Sequence, residues 1–316
     1  MANQQLHVLV TDRVHPHLLE SFSKLHWEVD YKPDINYEEV KVVLPKYSGI
    51  IINSKIKATR DFLDLTDSLQ FIGRLGSGLE IIDLDYAKER GVHVYNSPEG
   101  NCNAVAEHAL GMLLSLFNKL HQANTQVKNF VWQREHNRGL ELKGKTAGIV
   151  GFGHTGSSFA KVLAGFNVNV LAYDKYKTDY TTGFDYVQEA TPEQIRKKSD
   201  IISFHLPLTD ETRYLANQDY LMDCKDGVYI INTSRGKVLK LEDLLFALSV
   251  KRVAGACLDV FENEKFETLR LDEKVVMTKL LQLENVNVSP HVAGWTHESL
   301  FKIADVLVKK IMADFK

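Results

Sequence analysis

The sequence predicts an α/β protein with two doubly wound parallel sheets, and two observations lead to this prediction. Short apolar runs alternate with segments of helical periodicity along most of the 316 residues. This alternation is typical of parallel sheets covered by helices on both faces. The second observation is a glycine-rich turn near the middle of the chain, at Gly151, Gly153 and Gly156, flanked by apolar runs. The apolar run before this turn begins at Lys145, so a second series of strands is expected to start there.

Five apolar runs in the first third of the chain predict the strands of the first sheet. They are HVLVTD (His7–Asp12), WEVDY (Trp27–Tyr31), GIIINS (Gly49–Ser54), FIGRLGS (Phe71–Ser77) and VHVYNS (Val92–Ser97). Their alternation with helical patterns predicts a flavodoxin-like sheet. The segment Cys102–Asn118 follows and is apolar almost all round, which predicts a buried helix.

The second series continues to the end of the chain. Its near-continuous apolar strands are KTAGIV (Lys145–Val150), NVNVLAYD (Asn167–Asp174), DIISFHL (Asp200–Leu206), GVYIINTS (Gly227–Ser234), VAGACLDV (Val253–Val260) and VNVSPH (Val286–His291). Such runs are typical of parallel strands that are buried on both faces. A helix is expected from Ser157 to Phe166, and an amphipathic helix from Glu298 to Phe315 closes the chain.

The three glycines fit the pattern GxGxxG between a strand and a helix. In this context they allow a tight turn, the approach of a pyrophosphate to the backbone, and close packing of the helix on the strand. Asp174 ends the next strand, 18 residues beyond Gly156. Its carboxylate can accept hydrogen bonds from ribose hydroxyls and would repel a 2′-phosphate. The pattern predicts a Rossmann domain that prefers NAD to NADP.

The nucleotide-binding domain is expected inside the chain, at residues 98–292, with residues 1–97 plus 293–316 forming a flavodoxin-like substrate domain. Two crossings between the domains would make a hinge. A cleft between two such domains is a place where a dinucleotide and a small substrate can meet away from water.

Composition favours a soluble, cytoplasmic enzyme. Apolar residues make up 44% and charged residues 25% of the chain, and the formal net charge is −3. This charge gives no reason to expect nucleic acid or an anionic membrane as a partner. Cys102, Cys224 and Cys257 are too few and too far apart for a disulfide framework or a zinc site, so no metal is expected and a reducing compartment is favoured. No leader or membrane-spanning segment is predicted.

Three segments after the glycine turn carry polar residues suited to chemistry. Arg235, Glu264 near Asp259, and His291 each follow a predicted strand. Because the carboxyl ends of parallel strands form the ligand-binding edge of an open sheet, these side chains are expected to converge. Hydride transfer at C2 of a hydroxy acid needs an acid/base, a cation for the carboxylate, and fixed geometry. The three residue types supply these functions.

The motifs HLPLTDET, NTSRG, GACLDVFE and SPHVAGWT, together with the glycine turn, resemble the D-isomer-specific 2-hydroxyacid dehydrogenase family. The resemblance implies that Arg235 binds the substrate carboxylate and carbonyl, that His291 is the general acid/base, and that Glu264 pairs with His291. Glu262 is an alternative for the third role, because Lys265 stands where the family usually has Pro after the glutamate.

The resemblance also implies two sets of binding residues. Those expected at the cofactor, besides the three glycines and Asp174, are His154 and Thr155 at the pyrophosphate, Leu206 and Pro207 near the adenosine, and Thr233, Ser234, Asp259 and Gly294 near the nicotinamide. Those expected at the substrate are Ser77 and Gly78, whose N–H groups would bind the carboxylate, with Asn53, Ser54 and Arg74 nearby.

The resemblance leaves the individual activity open. Asn53 and Ser54 stand where phosphoglycerate dehydrogenases typically carry an Arg-Ser pair for the substrate phosphate. The candidates are a D-3-phosphoglycerate dehydrogenase, a glyoxylate/hydroxypyruvate reductase, and a non-catalytic NAD-sensing protein similar to corepressors of this fold. The sequence ends after its last predicted helix, so the serine-sensing domain of longer phosphoglycerate dehydrogenases, and feedback by serine, are not expected.

The segment Val127–Leu142, here called the arm, carries Trp132, Arg134 and Arg138 in a polar setting. In the family that the chain resembles, this region packs in a dimer interface, which implies a homodimer. One hypothesis is that Arg134 or Arg138 approaches the substrate entrance and compensates for the arginine missing at Asn53. The alternative is that both form only interface salt bridges.

Overall fold

The computed structural model describes residues 5–315, which divide into two compact units. The first unit comprises the described residues up to Cys102 and those from Trp295 onward, and the second unit spans Asn103–Gly294. The sequence prediction places these two boundaries at residues 97/98 and 292/293.

The first unit contains a parallel five-stranded sheet with the order β2-β1-β3-β4-β5. This is the order of flavodoxin-like sheets, so the predicted class of this sheet is confirmed. In chain order its elements are β1 (His7–Val10), α1 (Pro16–Lys24), β2 (Glu28–Tyr31), α2 (Tyr37–Val43), β3 (Gly49–Ile52), α3 (Arg60–Leu63), β4 (Phe71–Arg74), α4 (Leu84–Glu89) and β5 (His93–Asn96).

Burial along these strands follows the apolar pattern of the sequence. All four residues of β3 are buried, whereas the edge strands β2 and β5 contain no buried residue. A central parallel strand is covered on both faces and an edge strand only in part. The carboxyl ends of β3 and β4 therefore project from the rigid centre of the sheet.

The helix α5 (Pro98–Phe117) begins four residues before the predicted start at Cys102. Its first turn is polar, which hides the helical pattern in the sequence. Proline is nevertheless well suited to the first turn, because its fixed φ matches the helix and its missing N–H would have had no partner there. The apolar part of the helix includes the fully buried residues Ala106, Ala109 and Leu113.

The second unit contains a parallel seven-stranded sheet with the order β12-β11-β10-β9-β6-β7-β8. This order is that of a Rossmann sheet with one additional strand, so the predicted Rossmann class is confirmed. Its elements are α6 (Leu120–Lys128), β6 (Thr146–Val150), α7 (His154–Leu163), β7 (Asn169–Tyr173), β8 (Val187–Glu189), α8 (Pro192–Lys198), β9 (Ile201–Phe204), α9 (Gln218–Asp223), β10 (Val228–Asn232), α10 (Leu241–Ser249), β11 (Val253–Leu258), α11 (Leu271–Leu281) and β12 (Val286–Val288).

Two features of this sheet position the site. β6 lies between β7 and β9, so the strand order reverses beside it, and this is where open α/β sheets bind ligands. β8 was not predicted, because it has only three residues and Val187 alone is buried.

The last helix, α12 (His297–Asp314), packs against the first sheet and α1 through Ile303, Leu307 and Ile311. Thr296 caps it by accepting a hydrogen bond from the N–H of Ser299, an arrangement that satisfies one of the free donors of a helix start. Across residues 5–315, no helix has the length and apolar character needed to cross a membrane.

Candidate active site

The glycine turn after β6 has the shape of a dinucleotide cradle. Gly151 has φ +92°, and a Cβ there would lie 2.4 Å from the carbonyl oxygen of His205. A Cβ at Gly156 would lie 2.0 Å from the carbonyl oxygen of Gly151, so neither position can carry a side chain. At Gly153, by contrast, a Cβ would meet no atom within 4 Å. The space above Gly153 is therefore open for a phosphate to approach the backbone.

The helix α7 starts directly at this turn, with His154 and Thr155 as its first residues. No acidic side chain lies in its first turn, so the positive end of the helix dipole and the N–H groups of this turn favour an anion. A cavity of about 460 Å³ opens beside the turn and is lined in part by Gly153, His154 and Lys177. The residues present fit a dinucleotide phosphate.

Asp174 lies at the end of β7, next to the glycine turn, as predicted. Its Oδ2 accepts a hydrogen bond from the N–H of Phe152 at 2.9 Å, and its Oδ1 accepts one from the N–H of Tyr176 at 3.1 Å. A carboxylate has about four acceptor positions. Asp174 is thus fixed by two backbone donors and retains acceptor capacity for ribose hydroxyls.

The residues expected near the nicotinamide follow β10 and β11. The Oγ1 of Thr233 is buried and has no hydrogen-bond partner within residues 5–315. Since buried polar atoms are rarely left unpaired, this hydroxyl marks a place for a ligand atom. Asp259 differs, because its carboxylate accepts hydrogen bonds from the N–H groups of Val292 and Ala293. It therefore holds the loop that carries His291.

The remaining predicted cofactor residues also follow strands of this sheet or end its last loop. Leu206 and Pro207 follow β9, Ser234 precedes Arg235 after β10, and Gly294 is the last residue of the second unit. Leu206 packs partly buried against the core of the sheet, while Pro207 is exposed. An apolar, partly exposed surface at this edge suits an adenine ring.

Arg235 sits in a turn that the buried side chain of Asn232 braces. The Nδ2 of Asn232 donates to the carbonyl oxygen of Arg235 at 3.0 Å, and its Oδ1 accepts from the N–H and the Oγ–H of Ser234. A Cβ at Gly236 would lie 1.8 Å from the carbonyl oxygen of Phe261, so the turn lies directly on the backbone after β11. Sequence reasoning missed Asn232. The feature that could have identified it is a polar residue at the end of an apolar strand.

His291 and Glu264 form the central pair of the site. The Nδ1 of His291 lies 2.9 Å from the Oε2 of Glu264, and the two side chains are 50% and 42% exposed. The hydrogen bond that His291 donates to Glu264 is the main cause that raises the pKa of His291. Together with the charges of Glu264 and Asp259, it outweighs the opposing effects of burial and of Arg235. For Glu264, burial acts to raise the pKa, but the bond and charge of His291 with further contributions from Phe261 and Arg235 hold it below its usual range. The pair therefore favours a protonated histidine beside a carboxylate.

Glu262 makes different contacts from Glu264. Its Oε1 accepts a hydrogen bond from the N–H of Leu241, at the start of α10, at 2.6 Å, and its Oε2 accepts one from the hydroxyl of Tyr214 at 3.0 Å. Glu262 thus caps a helix, and Glu264 is the glutamate that contacts His291. We refer to Arg235, Glu264 and His291 as the edge triad.

The predicted substrate residues lie at the carboxyl edge of the first sheet, in the other unit. The N–H of Asn53 donates to Asp12, the side chain of Arg74 donates to the carbonyl of Leu75, and Ser54 is exposed. Ser77 and Gly78 follow β4, and the hydroxyl of Ser77 donates to Asn101 at 3.0 Å. The structure brings these residues to one edge of the first sheet.

Within the second unit, a dinucleotide cradle, a guanidinium and a carboxylate-paired imidazole share the carboxyl edge of one sheet. This arrangement is typical of nucleotide-dependent oxidoreductases, in which a cation can hold a carboxylate while a histidine exchanges a proton. Residues 110–293 match the family described as "D-isomer specific 2-hydroxyacid dehydrogenase, NAD binding domain". The chain belongs to the D-isomer-specific 2-hydroxyacid dehydrogenase family, which confirms the predicted resemblance and the NAD cofactor of this family.

Two curated relatives illustrate the range of the family. The chain is 33% identical over 305 residues to the D-3-phosphoglycerate dehydrogenase of Archaeoglobus fulgidus, covering 96% of this chain and 56% of that protein. It is 35% identical over 277 residues to the hydroxypyruvate reductase of Thermotoga maritima, covering 88% of each. The chain therefore spans about half the length of the Archaeoglobus enzyme and most of the Thermotoga enzyme.

Solved structures agree on the fold. The D-lactate dehydrogenase of Aquifex aeolicus, crystallised with NAD and lactic acid, has a TM-score of 0.83 and 30% identity to this chain, and the match covers 98% of this chain and 95% of that one. The D-lactate dehydrogenase of Escherichia coli, solved in its apo form, has a TM-score of 0.78 at 27% identity, covering 97% and 95%. The predicted fold class is confirmed.

Proposed function

We propose that this chain catalyses the NAD(H)-dependent interconversion of a D-2-hydroxy acid and its 2-keto acid. The observation that carries the proposal is the 2.9 Å contact between His291 and Glu264, at the edge of the sheet that also bears Arg235 and the dinucleotide cradle. A paired histidine is poised to give or take a proton, and the arginine is suited to an α-keto carboxylate.

In the reducing direction, the guanidinium of Arg235 binds the keto acid through its carboxylate and carbonyl oxygens and orients C2. A nicotinamide bound at this edge of the sheet would supply the hydride that C2 accepts. His291 donates its proton to the carbonyl oxygen as that oxygen gains negative charge, and the carboxylate of Glu264 stabilises the imidazolium beforehand. In the oxidising direction, neutral His291 takes the hydroxyl proton.

A panel of 2-keto acids tests this proposal. The rate of NADH oxidation is measured with hydroxypyruvate, glyoxylate, pyruvate and 3-phosphohydroxypyruvate, and with the D- and L-hydroxy acids in the reverse direction. We expect turnover with at least one keto acid and a preference for the D-isomer. Tight NADH binding without turnover on any member would instead favour the NAD-sensing alternative.

Our first candidate substrate pair is D-3-phosphoglycerate and 3-phosphohydroxypyruvate, a proposal supported by the similarity to phosphoglycerate dehydrogenases. The second candidate is hydroxypyruvate or glyoxylate, and a specific observation favours it. Asn53 replaces the phosphate-binding arginine, and the neighbouring Lys55 donates to the carbonyl oxygen of Pro33 at 2.6 Å. A kcat/KM that is higher for hydroxypyruvate than for its phosphate ester would select the second candidate.

We infer a preference for NADH over NADPH from Asp174. Its carboxylate stands at the end of β7 with acceptor positions left after its two backbone hydrogen bonds. A ribose 2′-hydroxyl can donate to these positions, whereas a 2′-phosphate would bring like charges together.

We also propose that the protein forms a homodimer through the arm. Phe130 is 99% exposed and Trp132 is 77% exposed within the single chain. Two large, exposed apolar side chains so close together in the sequence favour burial against a second copy of this chain. Sedimentation velocity should give the mass of a dimer, and replacing both residues with serine should yield monomers. A wild-type monomer would contradict the proposal.

The three cysteines described by the structure are free thiols, and two of them, Cys224 and Cys257, are buried. Free thiols persist in reducing compartments. We therefore propose a cytoplasmic location, which fractionation of cells that produce the protein would test.

A further inference from the structure

The backbone of His291 adopts an unusual conformation. Its φ is +55°, in the left-handed region. This region is uncommon for residues other than glycine, and a residue remains in it where the surroundings hold the backbone in place. The groups that hold His291 are therefore of interest for its proposed role.

The first of these groups is Asp259, which is 1% exposed. Its carbonyl oxygen accepts a hydrogen bond from the N–H of His291 at 2.8 Å. Its two carboxylate oxygens accept hydrogen bonds from the N–H groups of Val292 and Ala293, both at 2.9 Å. Three consecutive N–H groups of the loop thus end on one buried residue, so the position of the Asp259 side chain determines the path of the loop.

Two further side chains hold the carboxylate of Asp259. The hydroxyl of Ser289 donates to its Oδ1 at 2.5 Å. The Nε2 of His108, on α5, lies 2.9 Å from the same hydroxyl oxygen and 3.7 Å from the carboxylate. Because Ser289 has only one proton and gives it to Asp259, the Nε2 of His108 must be the donor to Ser289. The three groups form a chain with one direction, from His108 to Ser289 to Asp259.

The helix that carries His108 is itself attached to the strand before the loop. The Nδ2 of Asn287, in β12, donates to the carbonyl oxygen of Met112, one turn further along α5, at 3.0 Å. Met112 is buried. α5 is thus a fixed support for the strand end from which Ser289 and His291 project.

We propose that His108 and Ser289 are positioning residues for His291, acting through the carboxylate of Asp259 to hold the loop in its left-handed path. Neither side chain forms a hydrogen bond or an ion pair with His291 within residues 5–315. The inference rests on the proposed function, because the orientation of His291 toward Glu264 matters for proton transfer only if His291 is the general acid/base.

Because charged groups surround His291, a change in the path of the loop can be measured as a change in the titration of His291. Glu264, Asp259 and Arg235 act on its ring, with Glu264 contributing most, and His108 faces Asp259 from α5. If the loop relaxes, the hydrogen bond with Glu264 lengthens or breaks. The titration of His291 should then move toward lower pH, because the main cause of its raised pKa is lost.

The test compares Ser289→Ala and His108→Phe, which break the chain, with Ser289→Thr and His108→Gln, which keep a hydroxyl or an N–H donor. Glu107→Gln is the matched control, since Glu107 is the exposed neighbour of His108 on α5. The titration of His291 is followed by NMR of isotope-labelled histidine, with the signal assigned by its absence in His291→Gln. Steady-state kinetics and thermal melting are measured in parallel.

We expect Ser289→Ala and His108→Phe to lower the midpoint of the His291 titration and to reduce kcat for keto-acid reduction about tenfold, the effect of one lost hydrogen bond to a charged group. KM for NADH should change much less. Ser289→Thr and His108→Gln should recover most of both effects, and Glu107→Gln should match wild type.

A fall in melting temperature with an unchanged His291 titration would overturn the proposal, because it would show a purely structural role. An unchanged titration and kcat in both disrupting variants would overturn it as well. The NMR readout needs no substrate. If wild type turns over no keto acid, the proposed function fails, while the titration still decides whether His108 and Ser289 position His291.

Discussion

The second unit contains arginine, glutamate and histidine in the edge triad and again in the arm. The edge triad comes from the ends of three strands and is separated by long stretches of sequence. In the arm, Glu135, His136 and Arg138 lie within four residues of one another. The residue types are the same, and their surroundings are not.

At the edge, buried polar residues hold the backbone around Arg235 and His291. Asn232 braces the turn of Arg235, and Asp259 holds the loop of His291. In the arm, Arg138 pairs with Glu135 at 2.5 Å, but the two side chains are 77% and 82% exposed. Exposed pairs contribute about 0–1 kcal/mol and leave both groups solvated. Attachment to buried strands, more than residue type, distinguishes a site from a charged surface.

The largest expected effect tests this contrast directly. His291→Ala and Arg235→Ala should each lower kcat by ~10²–10⁴-fold, the usual contribution of acid/base groups, while the Kd for NADH stays close to wild type. His136→Ala, in the arm, should leave kcat within about a factor of two. Turnover numbers and fluorescence titrations measure these quantities. A comparable loss in His136→Ala would break the distinction between the two regions.

Two neighbouring glutamates, Glu264 and Glu262, test whether the effect on His291 is specific to the edge triad. His291 must be protonated to reduce a keto acid, so kcat/KM should fall as pH rises through its raised pKa. Glu264→Gln removes the main cause of that raised pKa and should move this limb of the pH profile to lower pH. Glu262→Gln weakens the cap of α10, so it should lower the free energy of unfolding by about 1 kcal/mol and leave the limb in place. Pairing would be misassigned if Glu262→Gln moved the limb.

Asp174 provides a smaller effect at the cofactor end of the same edge. Asp174→Ala should reduce the ratio of kcat/KM for NADH to that for NADPH by about tenfold, equivalent to roughly 1.4 kcal/mol. Asp185→Ala is the control, because Asp185 is exposed in the segment that follows β7. A wild-type enzyme that favoured NADPH would show that this carboxylate does not select the cofactor.

The smallest expected effect concerns the arm. If Arg134 and Arg138 approach the substrate entrance, replacing both with glutamine should raise KM for 3-phosphohydroxypyruvate more than KM for hydroxypyruvate, since only the former carries a phosphate for an arginine to bind. The exposed pair of Arg138 with Glu135 makes us expect a difference below about threefold. Equal changes in both constants, or a change only in the monomer–dimer equilibrium, would remove the arginines from substrate binding.

The sequence by itself determined the class of both sheets and much of the nucleotide cradle. Apolar runs of four to six residues predict buried parallel strands because their covered faces exclude polar side chains. Gly151 and Gly156 are required by close backbone contacts that allow no Cβ. Such local requirements appear in the sequence as a fixed spacing of glycines. The short strand β8 and the polar start of α5 escaped prediction, because neither has an apolar pattern.

Only the tertiary structure decided how the polar groups pair. The sequence prefers Glu264 but leaves Glu262 as an alternative, and the contacts separate them: Glu262 caps α10 and Glu264 contacts His291. His108 and Ser289 are separated by 181 residues in the sequence, yet the Nε2 of His108 lies 2.9 Å from the Oγ of Ser289. Apolar periodicity reports which face of an element is buried, but a hydrogen bond depends on the direction of individual side chains from distant elements. That direction is set by the packing of the whole sheet with its helices.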